Sequence, residues 1–267
     1  MTFRELLNQR ELPPREMLIL VAHRLGMDQA EIYRDLDRQI PAAQLRQVRR
    51  DAERRRAGWP LQYLTGRAWF WSLPLEVGRG VLVPRPETET LVEAALRRAP
   101  AGGRLADVGT GSGAILAAIA VERPDLRLIG VEKSPVAMRY AERNLEGRAD
   151  LVLGDLCAPL AEPQDVIVAN LPYVRLDEYP RLPDDVRREP RMALVSGADG
   201  LALIRRLVRQ APSHLKPGGW LLLEIGAGQG DAVAENLSRR GFTDIFRQED
   251  LGGIERVVGG RWPCAPN

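Results

Sequence analysis

The stretch Leu105–Ala120, "LADVGTGSGAILAAIA", decides the fold prediction. The segment Leu105–Val108, apolar except for Asp107, has the length of a buried strand, and an apolar helical stretch begins after Gly113. Between them, Gly109, Gly111 and Gly113 alternate with small polar residues. Glycine allows a tight turn and a close approach of the backbone to a ligand. The stretch therefore predicts a strand, a ligand-binding turn and a helix.

The flanking segments repeat this alternation of strand and helix. Short apolar runs such as "LRLIGVE" and "DVIVAN" alternate with amphipathic stretches such as "PVAMRYAERNL" and "DGLALIRRLVRQAPSHL". Strands that are joined by helices lie parallel in one sheet with right-handed crossovers. After the strand "GWLLLEIG", the runs "FTDIFRQED" and "IERVVGGR" predict a terminal strand pair. The pattern thus indicates a doubly wound, mostly parallel sheet.

The chain before residue 86 has a different organisation. Residues 1–57 are predicted to be helical, because segments such as "PPREMLILVAHRL" carry apolar residues at helical spacing. Residues 58–85 change to strand spacing with Gly and Pro between the runs, which predicts a β-hairpin connector. We therefore expect a helical domain (1–57), a connector (58–85) and a sheet domain (86–267).

The composition restricts the functional classes. The 267 residues include 38 basic and 36 acidic side chains, a formal net charge of +2, which argues against a general nucleic-acid coat. Neither a bilayer-spanning apolar run nor a secretory signal is recognised, so a cytoplasmic protein without a membrane partner is expected. The two cysteines, Cys157 and Cys264, are too few and too far apart for a zinc site, and no metal is expected.

Three acidic residues lie near the glycine loop in the predicted fold, and their charges indicate which cofactor the loop binds. Asp107 precedes the glycine loop, while Glu132 and Asp155 end the next two strands. A dinucleotide would place its pyrophosphate at the helix N-terminus, where Asp107 would repel it. S-adenosylmethionine carries an ammonium and a sulfonium instead, so acids near its amino-acid end are favourable. We expect Glu132 to accept hydrogen bonds from the ribose hydroxyls and Asp155 from the adenine amino group.

The stretch Asp165–Val174, "DVIVANLPYV", ends a predicted strand on an amide. Asn170 stands at the carboxyl end of this strand, where open α/β sheets bind ligands. The Asn170 side-chain oxygen and the Leu171 carbonyl can accept both hydrogens of a substrate NH₂ group and aim its lone pair at a methyl donor. Pro172 stiffens the turn, and Tyr173 offers a flat face for stacking. Asn170 and Tyr173 are the predicted catalytic residues.

These motifs resemble the protein-(glutamine-N5) methyltransferases of bacterial peptide release factors, the HemK-type family, nearly from end to end. The most specific block is "PRPETE", Pro84–Glu89, and it is followed by "ADVGTGSGAI", "NLPYV", "REPRMALVSGADGL" and "GGIERVVGGR". The resemblance implies an α/β fold, with a seven-stranded Rossmann-like methyltransferase sheet and a small N-terminal helical domain that docks the substrate. It implies methyl transfer from S-adenosyl-L-methionine to the glutamine side chain in the Gly-Gly-Gln loop of class 1 peptide chain release factors.

The predicted site combines the motifs and the resemblance. Cofactor-binding residues are predicted to be Asp107, Gly109, Thr110, Gly111, Ser112, Gly113, Glu132, Asp155, Leu156 and Asn170; substrate-binding residues are predicted to be Asn170, Leu171, Pro172, Tyr173 and Arg85. Leu171 stands where the family has proline, which removes some rigidity from the turn but keeps the carbonyl. Leu156 stands where relatives often carry an aromatic residue against the adenine. Arg85 either orients substrate or cofactor, or pairs with Glu87.

Three alternatives remain open. An adenine-N6 methyltransferase of DNA or RNA would present a similar planar NH₂ group to Asn170. A non-catalytic S-adenosylmethionine-binding protein is compatible with Leu171, and another protein's glutamine is a possible substrate. A flipped adenine needs phosphate contacts, usually from a basic surface. The stretch "NLPYVRLDEYPRLPDDVRREP" mixes acids with its arginines, which favours a protein substrate and makes direct nucleic-acid binding unexpected.

Overall fold

The computed structural model describes residues 1–9 and 11–264. These residues form two compact units. The first comprises Met1–Arg67 and the later segment Pro183–Arg188. The second comprises Ala68–Leu182 and the described residues from Glu189 onward. The first unit is helical, and the second contains the main sheet.

The N-terminal part of the first unit contains α1 (Phe3–Leu7), α2 (Pro14–Leu25), α3 (Gln29–Arg34), α4 (Ala42–Arg56) and α5 (Leu61–Thr65). Thr2 and Asp28 cap α1 and α3 in capping boxes, in which Glu5 and Glu31 bond back to the cap backbone. Apolar side chains from these helices form one buried cluster. Helix α5 lies inside the predicted connector (58–85), so the helical region extends further along the chain than predicted.

Arg55 joins three segments of the first unit. Its guanidinium donates to both carboxylate oxygens of Glu16 on α2, at 2.8 and 3.0 Å. It also donates to Oδ2 of Asp185 at 3.1 Å and to the Trp59 carbonyl at 3.1 Å. The Pro183–Arg188 segment is thereby attached to the helices.

The connector contains β1 (Arg67–Phe70) and β2 (Leu73–Glu76), which pair as a two-stranded sheet. Between them, Trp71 and Ser72 have φ values of 52° and 59°. Two consecutive residues with positive φ are typical of tight hairpin turns. The strand pair expected in this stretch is therefore present.

A seven-stranded sheet organises the second unit. Its strands are β3 (Arg104–Val108), β4 (Arg127–Glu132), β5 (Asp150–Leu153), β6 (Gln164–Ala169), β7 (Leu215–Glu224), β8 (Thr243–Glu249) and β9 (Glu255–Arg261). The spatial order is β5-β4-β3-β6-β7-β9-β8. Strand β9 runs antiparallel to β7 and β8, and the other neighbouring pairs are parallel. The predicted fold class and the terminal strand pair are confirmed.

Helices cover both faces of this sheet. The later helices are α6 (Glu89–Leu96), α7 (Ala114–Glu122), α8 (Pro135–Leu145), α9 (Asp184–Arg187, in the first unit), α10 (Ala202–Gln210) and α11 (Gly230–Arg240). Along β6, Val166 and Val168 pack in the cluster that contains residues of α6–α8, whereas Ile167 and Ala169 pack in the cluster of α10 and α11. This alternation buries the strand on both faces. None of the described helices is long and apolar enough to cross a membrane.

The strand order brings the predicted site residues to one edge of the sheet. From β3 the sheet grows through β4 to β5 on one side and through β6 to β7 on the other. Asp107 on β3 pairs with Val168 on β6, and Ala169 pairs with Leu223 on β7. The carboxyl ends of β3, β4, β6 and β7 therefore meet around the point where the strand order reverses, which is where open α/β sheets bind ligands.

Candidate active site

The glycine loop between β3 and α7 depends on left-handed backbone conformations. Gly109, Gly111 and Gly113 have φ values of 82°, 58° and 81°. Other residues adopt this conformation at a cost of roughly 1 to 2 kcal/mol. The backbone N–H groups of Gly109 and Thr110 both donate to the carbonyl of Val131, at 2.8 and 3.1 Å. The loop is thus attached to the end of β4, and the predicted strand, turn and helix are confirmed.

Glu132 connects the segments around the loop. Its Oε2 accepts from the Gly111 N–H at 2.8 Å, and its Oε1 accepts from the N–H groups of Lys133 and Ser134 at 2.8 and 2.7 Å. The residue is buried but lies on the wall of a cavity. A carboxylate oxygen accepts about two hydrogen bonds, so Oε2 retains one acceptor position. That position suits a ligand hydroxyl.

Asp107 lies beneath the loop and is not among the described residues of the cavity wall. It is fully buried, and its Oδ2 accepts from the Thr110 hydroxyl at 2.7 Å. Its Oδ1 has no hydrogen-bond partner among the described residues. Burial, together with the negative charge of Glu132, raises the pKa of Asp107 to about 7. Asp107 supports the loop through Thr110, and its direct contact with a cofactor stays a prediction.

Asp155 and Leu156 follow β5 and also lie on the cavity wall. The Asp155 carboxylate lies 2.9 Å from Arg206 Nη2 and 3.4 Å from Lys133 Nζ. The hydrogen bond from Arg206 is the main cause that lowers the pKa of Asp155, which keeps it charged at neutral pH. Leu156 is buried and has a φ of 55°, a left-handed conformation that is costly for leucine.

These residues surround a cavity of about 330 Å³ at the carboxyl edge of the sheet. This volume is within the range of small-ligand sites. The predicted residues that lie on its wall are Arg85, Gly109, Thr110, Gly111, Ser112, Glu132, Asp155, Leu156, Asn170, Leu171 and Pro172. The structure therefore brings most of the predicted cofactor and substrate residues to one space.

Gly113 and Tyr173 are not among the described wall residues. A Cβ on Gly113 would lie 3.1 Å from the Leu145 side chain, so this glycine permits close packing of α7 and α8. The Tyr173 ring packs against Gly226, and its carbonyl accepts from Gln229 Nε2 at 3.0 Å. Burial raises the pKa of Tyr173 to about 12, so the phenol is neutral at physiological pH. The stacking of Tyr173 on a substrate stays a prediction.

Asn170 contacts Thr88, a buried polar residue that also lies on the cavity wall. Its Nδ2 donates to the Thr88 hydroxyl at 3.0 Å. Glu224, at the end of β7, is 2% exposed, and burial raises its pKa to about 7. Hydrogen bonding from the Thr88 and Asn170 side chains opposes this rise. Because its amide nitrogen is engaged in this way, Asn170 presents its oxygen as the acceptor.

Leu171 stabilises the turn by packing. The residue is 4% exposed and belongs to the same apolar cluster as Leu201 and Ile204. Its Cδ2 lies 3.1 Å from the position that a Cβ on Gly109 would occupy. The side chain therefore contacts the glycine loop, which links the Asn170 turn to the cofactor side of the cavity.

Arg85 pairs with Glu189, and not with Glu87 as one of the two predictions had it. Glu189 is 4% exposed, and one of its carboxylate oxygens accepts from Arg85 Nη2. The other accepts from the Val83 N–H at 2.9 Å. Because Arg85 also lies on the cavity wall, this buried acid holds a cation at the site.

Sequence reasoning missed Thr88, Glu189 and Glu224. Thr88 lies inside the "PRPETE" block, and Glu189 lies inside "REPRMALVSGADGL". Glu224 ends the apolar run of β7 in the same way that Glu132 ends β4. An acid at the end of a buried parallel strand was the signal that could have identified Glu224.

Two family models match the chain, the PrmC N-terminal domain over residues 2–66 and the methyltransferase small domain over residues 86–181. The release factor glutamine methyltransferase of Geobacter sulfurreducens is 42% identical over 247 residues, which cover 91% of this chain and 87% of that protein. The Escherichia coli K12 protein with the same name is 40% identical over 262 residues, which cover 96% of this chain and 95% of that protein.

Solved structures are similar in fold. A methyltransferase from Pyrococcus furiosus aligns with a TM-score of 0.54 at 19% identity, over 72% of this chain and 89% of that chain. The hMettl16 catalytic domain in complex with the MAT2A 3'UTR hairpin 6 aligns with a TM-score of 0.58 at 14% identity, over 72% of this chain and 77% of that chain. At these identities the likeness supports the methyltransferase fold alone.

Proposed function

The chain belongs to the family of release factor glutamine methyltransferases, and on this basis we propose that it methylates the side-chain amide nitrogen of a release factor glutamine, with S-adenosylmethionine as the donor. The glutamine is the one in the Gly-Gly-Gln loop of class 1 release factors. The observation that carries the proposal is the position of Asn170. It lies on the cavity wall with the glycine loop, and its amide nitrogen donates to Thr88.

The glycine loop, Glu132 and Asp155 form the cofactor site in this proposal. Glu132 Oε2 has one remaining acceptor position, which suits a ribose hydroxyl. The charged Asp155 lies on the same wall and suits the adenine amino group. When bound, S-adenosylmethionine supplies an electrophilic methyl group on its sulfonium. The acids around the cavity favour such a cationic ligand over a phosphate-containing one.

Asn170 and Leu171 orient the substrate nitrogen. The Asn170 side-chain oxygen and the Leu171 carbonyl accept its two hydrogens. An amide nitrogen is a poor nucleophile because its lone pair is delocalised, and holding both hydrogens aims that lone pair at the methyl group. Pro172 stiffens the backbone around these acceptors. No strong base is required before transfer, and Tyr173 does not supply one, since its phenol is neutral. As the N–C bond forms, the S–C bond breaks and S-adenosylhomocysteine leaves as a neutral thioether. The methylated nitrogen, which is cationic at this point, then releases one of its hydrogens as a proton to water.

Local charge pairing supports a protein substrate over a nucleic acid. Arg175 follows the Asn170 turn and pairs with Asp177 at 3.1 Å and with Glu178 at 3.8 Å. An arginine that is neutralised by neighbouring acids contributes little to binding a phosphate backbone. A flexible protein loop that carries a glutamine is compatible with this mixed surface.

The helical unit takes part in docking the release factor in this proposal. All predicted cofactor residues lie beyond residue 104, in the sheet-containing unit. The predicted division into residues 1–57, 58–85 and 86–267 therefore assigns substrate docking to the first segment and catalysis to the third. Because release factors act in translation, the protein is placed in the cytoplasm.

Mass spectrometry of intact release factor after incubation with the enzyme and labelled S-adenosylmethionine tests the proposal. We expect one methyl group on the Gly-Gly-Gln glutamine. Replacement of that glutamine should abolish labelling. Adenine-containing DNA and RNA oligonucleotides should remain unlabelled, and robust labelling of these with untouched release factor would establish the nucleic-acid activity instead.

A further inference from the structure

We propose that Glu224 and Thr88 are positioning residues that fix the orientation of the Asn170 amide, so that its oxygen, and not its nitrogen, is presented to the substrate. This inference rests on the proposed function, because methyl transfer requires the Asn170 oxygen as an acceptor for the substrate NH₂ group. Glu224 and Thr88 would keep that oxygen turned toward the substrate. Neither residue needs to touch the reacting atoms to have this effect.

The sheet places these residues next to one another. Ala169 on β6 pairs with Leu223 on β7, so Asn170 and Glu224 follow at the carboxyl ends of two neighbouring parallel strands. Thr88 comes from the short 3₁₀ helix Pro86–Thr88 and is 4% exposed. Its hydroxyl accepts from Asn170 Nδ2 at 3.0 Å.

An amide is nearly symmetric in shape, so hydrogen bonds must decide which end faces the cavity. Thr88 alone cannot decide, because a hydroxyl donates to an amide oxygen as readily as it accepts from an amide nitrogen. The deprotonated carboxylate of Glu224, the form that prevails above about pH 7, only accepts. If the Thr88 hydroxyl donates its hydrogen to Glu224, the Thr88 oxygen can only accept a hydrogen bond from Asn170. The Asn170 nitrogen must then face Thr88, because only the nitrogen end of the amide donates.

The surroundings of Glu224 fit this role. The residue is 2% exposed, and its Oε2 has no hydrogen-bond partner among the described residues. The positive charge of Arg256 on β9 and hydrogen bonding from Thr88 and Asn170 favour the ionised form of Glu224. The negative charge of Glu87 opposes it. Burying a carboxyl group with an unpartnered oxygen costs stability. An acid at this position therefore contributes something other than packing, and Thr88 and Asn170 are the side chains whose hydrogen bonding favours its charged form.

Three variants of the full-length protein test the inference. Glu224→Gln keeps the shape but adds a donor that permits the reversed hydrogen-bond direction. Thr88→Val removes the hydroxyl, and Thr88→Ser retains it. With release factor as substrate, we expect Glu224→Gln and Thr88→Val to lower kcat roughly 10- to 100-fold, the scale of a small misplacement of reacting groups. Thr88→Ser should remain near wild type, as should the exposed control Glu235→Gln.

Two further measurements separate positioning from other roles. Calorimetry with S-adenosylhomocysteine should give a Kd within about twofold of wild type for each variant, the scale expected when no hydrogen bond to the ligand is lost. Hydrogen exchange of the Asn170 side-chain NH₂, followed by NMR, needs no substrate and should be faster in Glu224→Gln and Thr88→Val. Loss of S-adenosylhomocysteine affinity with unchanged kcat would assign Thr88 to cofactor binding and overturn the inference.

The outcomes distinguish the inference from the proposed function. If wild-type protein leaves release factor unmodified, the proposed function fails, while NH₂ exchange still tests the positioning of Asn170. If wild-type protein methylates release factor but Glu224→Gln and Thr88→Val keep wild-type kcat and exchange rates, the inference alone is wrong.

Discussion

The backbone N–H of Gly111 donates to Oε2 of Glu132 at 2.8 Å. This bond joins the loop after β3 to the end of β4, two segments that the strand order places side by side. Glu132 also accepts from the N–H groups of Lys133 and Ser134, so one carboxylate determines the shape of two adjacent turns. The loop conformation and the proposed cofactor contact therefore depend on the same side chain.

Glu132→Ala should weaken S-adenosylhomocysteine binding by about 1 to 3 kcal/mol, because a buried acceptor of several hydrogen bonds is removed. Isothermal titration calorimetry measures this loss. Glu142→Ala, an exposed acid on α8, is the control and should leave the affinity unchanged. Equal affinities for wild type and Glu132→Ala would remove Glu132 from the cofactor site.

Gly109→Ala should impair cofactor binding more than Gly147→Ala. Their φ values, 82° and 80°, are nearly equal, so an alanine at either position pays a similar conformational cost of roughly 1 to 2 kcal/mol. Only at Gly109 does the added Cβ approach Leu171, at 3.1 Å, while nothing lies within 4 Å at Gly147. Thermal unfolding and calorimetry of both variants separate the two effects. Equal losses of affinity would show that the Leu171 contact is unimportant.

Asn170→Ala should lower kcat roughly 100-fold or more, the scale of losing a preorganised polar group at a reacting centre. Binding of S-adenosylhomocysteine should change little, since in the proposed function Asn170 holds the substrate amide. Single-turnover methylation assays and calorimetry check the two statements. An active variant would exclude the proposed role of Asn170.

Arg55→Met should destabilise the helical unit by about 1 to 3 kcal/mol, because the side chain donates to Glu16, Asp185 and the Trp59 carbonyl. Chemical denaturation followed by circular dichroism measures the change. Arg56→Met, on the exposed part of the same helix, is the matched control and should change stability by much less. Similar values for the two variants would mean that the Arg55 network contributes no net stability.

Stability should respond to pH through Glu224. Its folded-state pKa of about 7 lies above the ordinary glutamate value of 4.5, so between these pH values the folded protein keeps a proton that the unfolded chain has lost. This contribution to the free energy of unfolding is present below about pH 4.5 and is lost as the pH rises to about 7. Arg256, Glu87 and Tyr173 are the other titratable groups whose charges interact with it.

Glu224→Gln removes this proton linkage. Relative to wild type, the variant should therefore gain on the order of 3 kcal/mol between pH 4.5 and 7, since one pKa unit corresponds to roughly 1.4 kcal/mol. Urea denaturation of both proteins across this range measures the difference. A constant difference would contradict the raised pKa of Glu224.

The sequence alone determined the order and type of the main elements. Strands such as β6 are continuous apolar runs because both of their faces are buried, and the glycine loop needs residues that tolerate positive φ. Since carboxyl ends of parallel strands share an edge, the convergence of Glu132, Asp155 and Asn170 followed from the pattern. These predictions depend on local spacing and on one general rule of sheet topology.

The tertiary structure decided which side chains meet and which way they face. Thr88 and Asn170 are 82 positions apart in the chain, and their hydrogen bond exists only because the 3₁₀ helix Pro86–Thr88 lies beside the end of β6. Tyr173 packs against Gly226 and is not among the described residues of the cavity wall, and its carbonyl accepts from the Gln229 side chain. Such contacts depend on the packing of segments that are distant in sequence, which local periodicity does not encode.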